Sequence, residues 1–189
     1  MLLAMVPRFL DAAQPVRLAG MSPASILHVH ENGKPIDFSY EDLSKYHGFA
    51  APGGVAHAFK VMERAFPILD PDAPVERREV EIATPFAGPG ARDAFECVTR
   101  AVTGDRFTLD PFLERPDVGP TQARWVFHLS YRGRSVRLHV RAGQVSDEFI
   151  SLARQSELSK ADEKRLDQLK LEMAERVMGQ DAVDIYDEA

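Results

Sequence analysis

At 189 residues, 44% of them hydrophobic, the chain has enough apolar material for one sizeable core. A formal charge of −6 argues against a nucleic-acid partner, and a single cysteine, Cys97, excludes an internal disulfide, a Cys-rich zinc ribbon and a Cys-ligated iron–sulfur cluster. The apolar runs fall far short of a membrane span and the opening Met1 to Arg8 lacks the basic start of a secretory signal, so the expected address is the cytoplasm, with no membrane partner.

Residues 1–25 mix prolines, a glycine and small apolar residues without a sustained period and read as an N-terminal arm. Ile26 to Glu31 reads as a short strand, and Asn32-Gly33 as a chain reversal, since both residue types tolerate positive φ. Ser39-Tyr40-Glu41-Asp42 resembles a capping box, with the Ser39 hydroxyl placed to accept a backbone N–H. The helix it opens runs to about Tyr46 or His47 and ends at Gly48. Pro52 suits the first turn of a second helix, whose Val55, Ala58, Phe59, Met62 and Phe66 fall at i, i+3, i+4, i+7 and i+11. Pro67 is expected to stop it. Val80 to Thr84 reads as a strand and Pro85 to Gly90 as a turn. A third helix follows, with Ala94, Phe95, Val98 and Val102 inward and its end at Gly104.

Residues 122–142 predict a β-hairpin. Trp125, Phe127, Leu129 and Tyr131 alternate with polar residues in one arm, as Val136, Leu138 and Val140 do in the other. A two-residue turn at Arg132-Gly133 sets Leu129 opposite Val136, Phe127 opposite Leu138 and Trp125 opposite Val140, so the large apolar groups share a face. The other face gathers Arg124, His128, Arg137, His139 and Arg141, a basic stripe in an acidic chain. It reads either as a solvated or dimer-burying sheet face or as an anion site for phosphate or carboxylate.

Beyond Gly143 two more helices are expected. Ser146 caps one through about Arg154, and Ser159 caps another, whose Leu166, Leu169, Met173 and Val177 form a stripe ending at Gly179. The expected organisation is an arm over 1–25, a core over 26–143 and a helical extension over 144–189 laid on that core or on a second protein chain. The fold class is α+β: helix, strand, helix, then antiparallel strands, giving a mixed sheet with helices on one face and C-terminal helices added.

The run Glu41-Asp42-Leu43-Ser44-Lys45-Tyr46-His47-Gly48 with Pro52-Gly53, then Ala91-Arg92-Asp93-Ala94 in a helix, then Gly133-Arg134-Ser135-Val136-Arg137 in a strand pair, resembles the FmdE family of formylmethanofuran dehydrogenase components. The likeness covers roughly residues 26–142. It implies a homodimeric α+β core associated with a partner molybdenum or tungsten oxidoreductase of one-carbon metabolism. Some members add a C-terminal zinc finger, which a chain with one cysteine lacks. The family pattern reads His-Gly-His-x-Cys-Pro-Gly, with a further Cys three residues before the helix Asp. Those positions here are His47, Phe49, Ala51 and Gly90, so the thiolate donors are missing.

Two functional readings follow. In the first, the chain is an accessory or small-ligand-binding protein with its pocket at His47 and Asp93 and with Arg137 as a further ligand-binding residue. In the second it is a metal-dependent enzyme. His28 and His30, at i and i+2 of one strand, would share a divalent metal ion with His47 and His57, and Asp93 would serve as general base for a metal-bound water. Bland readings compete with both. His47 can serve as a hydrogen-bonder at a helix end, and Asp93 as a carboxylate favoured by the helix dipole. Cys97, in a helix interior, reads as an inert thiol.

Overall fold

A computed structural model of the chain describes residues 25–189. The arm expected over 1–25 lies outside them, Ser25 excepted. Strands β1 (Ile26–Glu31) and β2 (Lys34–Ser39) pair antiparallel about Asn32 and Gly33, whose φ values of 53° and 75° make the tight reversal. Ser39 then caps α1 (Tyr40–His47): its hydroxyl accepts the Asp42 N–H while the Asp42 carboxylate accepts the Ser39 N–H. The chain leaves α1 through Gly48, at φ 86°.

Helix α2 (Pro52–Leu69) is the axis of the molecule. Ala56, His57, Phe59, Lys60 and Met62 are all 1% exposed or less, and a helix buried on every side belongs at the centre of a core. Helix α1 and strand β1 reach it, as do elements from later in the chain. Pro67 does not stop α2. It sits in the last turn, where its missing N–H forfeits a single bond, and the helix closes with the Asp70 N–H on the Phe66 carbonyl at 2.9 Å.

The second sheet is five-stranded and mixed. Its strands are β3 (Glu81–Thr84), β4 (Phe107–Leu109), β5 (Val126–Tyr131), β6 (Arg134–Val140) and β7 (Tyr186–Glu188), in the order β4-β3-β5-β6-β7. Only β3 and β4 run parallel. They are joined by α3 (Pro89–Thr99). The β5–β6 register is the predicted one: Leu129 faces Val136, Phe127 faces Leu138, and the Val140 N–H donates to the Trp125 carbonyl at 3.0 Å. All five of these apolar side chains and Trp125 are buried.

Helix α3 ends at Thr99, five residues short of the expected Gly104. Arg100 turns left-handed at φ 55°. The Glu96 carboxylate then accepts the N–H groups of Val102 and Thr103 and the Thr103 hydroxyl, which holds the following residues as a loop. Beyond β6 come α4 (Asp147–Ala153), α5 (Lys160–Met178) and α6 (Ala182–Ile185). Ser146 and Ser159 cap α4 and α5 as predicted. The 144–189 segment is integral to the core. Met173, Val177, Ile185 and Tyr186 join Val55, Phe59 and Phe127 in one apolar cluster, and β7 extends the sheet beside β6. Among the described residues no helix is long and apolar enough to cross a membrane.

Candidate functional site

His47 is the last residue of α1, and Asp93 lies in the second turn of α3; the two helices pack against each other. His47 Nδ1 stands 2.8 Å from Asp93 Oδ2, with the imidazole 8% exposed and the carboxylate 32%. An ionised carboxylate only accepts, so Nδ1 carries the proton and the lone pair of the neutral ring lies on Nε2. That Nε2 is buried with no hydrogen-bond partner. Buried polar atoms are nearly always paired, because leaving one bare costs about 1–3 kcal/mol. A histidine so oriented can accept an N–H or O–H hydrogen bond at its second nitrogen. The Arg92 guanidinium approaches the other Asp93 oxygen at 3.6 Å.

Two helix starts press together beside this pair. Neither Ala51 at the start of α2 nor Gly88 at the start of α3 makes a side-chain cap. A Cβ on Gly90 would stand 2.6 Å from the Ala51 carbonyl oxygen and 3.0 Å from the Ala51 Cβ. Positions 51 and 90, where the resemblance puts thiolates, therefore meet in space. They bring no donor atom, and position 90 admits only glycine in this backbone. The residues present do not fit a thiolate-held metal. Tyr46 in the last turn of α1 and Phe49 on the α1–α2 connection are 50% and 84% exposed, flanking His47 in the chain.

The four histidines expected to share a metal do not converge. His28 is exposed on β1 and pairs with Asp37 at 2.7 Å. His30 is half-buried, in a stretch tied through its backbone N–H to the Val75 carbonyl. His57 is fully buried on α2, its Nδ1 2.6 Å from the Tyr186 hydroxyl and its ring 4.3 Å from that of Trp125. Among the described residues no group of three or more His, Cys, Asp or Glu side chains is placed to hold a metal ion. The physical reason is that α2 is wrapped on all sides, so His57 faces aromatic rings. Burial, reinforced by the Arg176 guanidinium, pushes the His57 ring down to about 3, and it stays neutral at ordinary pH. Asp93 is likewise engaged by His47, which leaves it an orienting group.

Arg137 does not join His47 and Asp93. Its strand neighbours Val136 and Leu138 are buried toward the helices while Arg137 is exposed, so its side chain rises from the opposite face of the sheet. The basic stripe is only partly cationic and only partly free. Arg124 pairs with Glu114 and Arg141 with Asp187. His139 lies under Arg115 at 3.3 Å, and burial together with that guanidinium lowers its pKa. Cys97 is half-buried, and burial raises its thiol, in keeping with an inert role.

Sequence reasoning missed the His57–Tyr186–Trp125 cluster. The signal was present in α2, whose opposite faces are both apolar, so that a histidine between them is a core residue. Compared with protein-family models the chain has no match, and compared with curated proteins it has none.

Proposed function

We propose that this chain is a small-ligand-binding accessory protein of the FmdE type, akin to that component of formylmethanofuran dehydrogenase, with its site at His47. The observation that carries the reading is the buried, unpartnered Nε2 of His47, fixed in direction by Asp93. A ligand hydroxyl, amide or amine reaching Nε2 would relieve the bare acceptor, and Asp93 would hold the ring while it did so. The meeting of positions 51 and 90 supports the kinship, since those are the places the resemblance assigns to paired thiolates. Without thiolates, binding at His47 is by hydrogen bond. The homodimer and the partner oxidoreductase of one-carbon metabolism belong to the same proposal through the resemblance.

The test is a melting-temperature screen of small amides, alcohols, amines and carboxylic acids, run on the parent and on His47→Ala. At about a hundred times its Kd a ligand adds about 2.7 kcal/mol to stability. At least one compound class is expected to raise the melting temperature of the parent and not of the variant. Equal shifts in both proteins, or none in either, would remove His47 from the site.

A further inference from the structure

We infer a second, separate site: an anion-binding groove at the edge of the five-stranded sheet, beside the end of β7, where Arg137, His128 and Ser135 take a phosphate or carboxylate group. The groove, about 400 Å³, is lined by these three residues with Ile68, Val136 and Glu188 along its edge. His128 and Arg137 are direct cross-strand partners on β5 and β6. Ser135, two residues before Arg137 on the same strand, projects on the same side. A guanidinium, an imidazole and a hydroxyl thus converge from one sheet face, and these are the groups that bind an oxyanion by charge and by hydrogen bond together.

Arg137 differs from most of the arginines around it, and Arg134, the other arginine of β6 without a carboxylate partner among the described residues, does not line the groove. Arg124 is neutralised by Glu114, Arg132 by Glu79, Arg141 by Asp187 and Arg115 by Asp117. Among the described residues Arg137 has no carboxylate partner. The one acidic side chain lining the same groove, Glu188, is engaged by Arg64. In a chain of net charge −6 an unneutralised guanidinium flanked by His128 and Ser135 has its planar fork available for bidentate contact with an oxyanion. The site is independent of His47, which lies at the α1–α3 junction and does not line the groove.

The experiment is an amide NMR titration of the full chain with inorganic phosphate and, separately, with acetate, at ionic strength held constant with chloride. Saturable shifts are expected at His128, Ser135 and Arg137. Arg137→Gln should weaken binding about tenfold or more, the factor expected when one charged hydrogen-bonding partner is lost. Arg141→Gln, at a guanidinium already held by Asp187, and His47→Ala should leave it unchanged. Saturation by phosphate alone would define a phosphate site, and saturation by both anions a general carboxylate and phosphate site. No saturable shift with either anion, or equal weakening by Arg137→Gln and Arg141→Gln, would overturn the assignment. Arg137 is exposed, so its substitution spares the core, and an unchanged melting temperature checks that.

Discussion

Two histidines in this molecule share one description at the level of atoms and differ in everything around them. His47 and His57 each have Nδ1 in a short side-chain hydrogen bond and Nε2 buried without a partner. His57 is bonded to a phenol at the centre of the core, its ring against Trp125, which is itself stacked on Phe86 at 4.0 Å. His47 is bonded to a carboxylate one third exposed, at the junction of α1 with α3. A bare nitrogen among aromatic rings is a cost that the fold carries for packing. A bare nitrogen on a ring held by a carboxylate that reaches solvent has a fixed direction and lies close to the surface. The difference teaches that an orphaned polar atom points to function only through its second partner and its access.

The sharpest way to break that comparison is acid. The folded pKa of His57, about 3, lies below its ordinary value of 6.5. The unfolded chain therefore binds the proton first as pH falls. The stabilisation from keeping His57 neutral is whole above about pH 6.5 and is lost as pH drops toward 3, at about 1.4 kcal/mol per unit and on the order of 4–5 kcal/mol in all. Urea unfolding across that window should show the slope in the parent, and His57→Phe should reduce it by about one proton. An unchanged slope in the variant would mean that another group carries the acid response.

A second break falls at the joint beneath His47. Gly90→Ala drives a Cβ to 2.6 Å from a backbone oxygen that cannot swing aside, and should cost about 2–3 kcal/mol, in the upper part of the usual range for overpacking. Denaturant midpoints test this, and a neutral result would mean that α2 and α3 separate easily at their starts. Tyr186→Phe removes the hydroxyl on His57 Nδ1 and should cost about 1–2 kcal/mol, because a second ring nitrogen loses its partner. If the phenylalanine variant melts with the parent, the hydroxyl contributes nothing net. Asp93→Asn should be the mildest for stability, within about 0.5 kcal/mol at this partly exposed position. Yet it should weaken any ligand that binds through His47, because the amide holds Nδ1–H less firmly; calorimetric titration with the compound found by melting would read that loss.

The β5–β6 hairpin was legible because two independent patterns, the alternation of both arms and the Arg132-Gly133 turn, demand the same register, and the φ values of 46° and 81° at that turn agree. The capped starts at Ser39, Ser146 and Ser159 were legible for the same reason: a side chain and a backbone group must satisfy each other locally. Strands β4 and β7, three residues each, carry too little pattern to read, and β7 is fixed by a contact between residues 129 apart, His57 and Tyr186. The end of α3 was hidden because an arginine takes the left-handed turn usually left to glycine. His47 was legible as the end of α1 and Asp93 as an early residue of α3, whereas the bare Nε2 depends on packing that no local spacing encodes. The alternation of β6 already put Arg137 on the face away from Val136 and Leu138, apart from His47 and Asp93.

The most direct measurement is a long-range proton–nitrogen NMR correlation of the histidine rings at mildly alkaline pH, where a free imidazole is neutral, with and without the compound that raises the melting temperature. His47 is expected to carry its proton on Nδ1, and only its bare Nε2 signal to move on binding while both His57 nitrogens stay in place. A proton on His47 Nε2, or a ligand that leaves that signal unmoved, would contradict this.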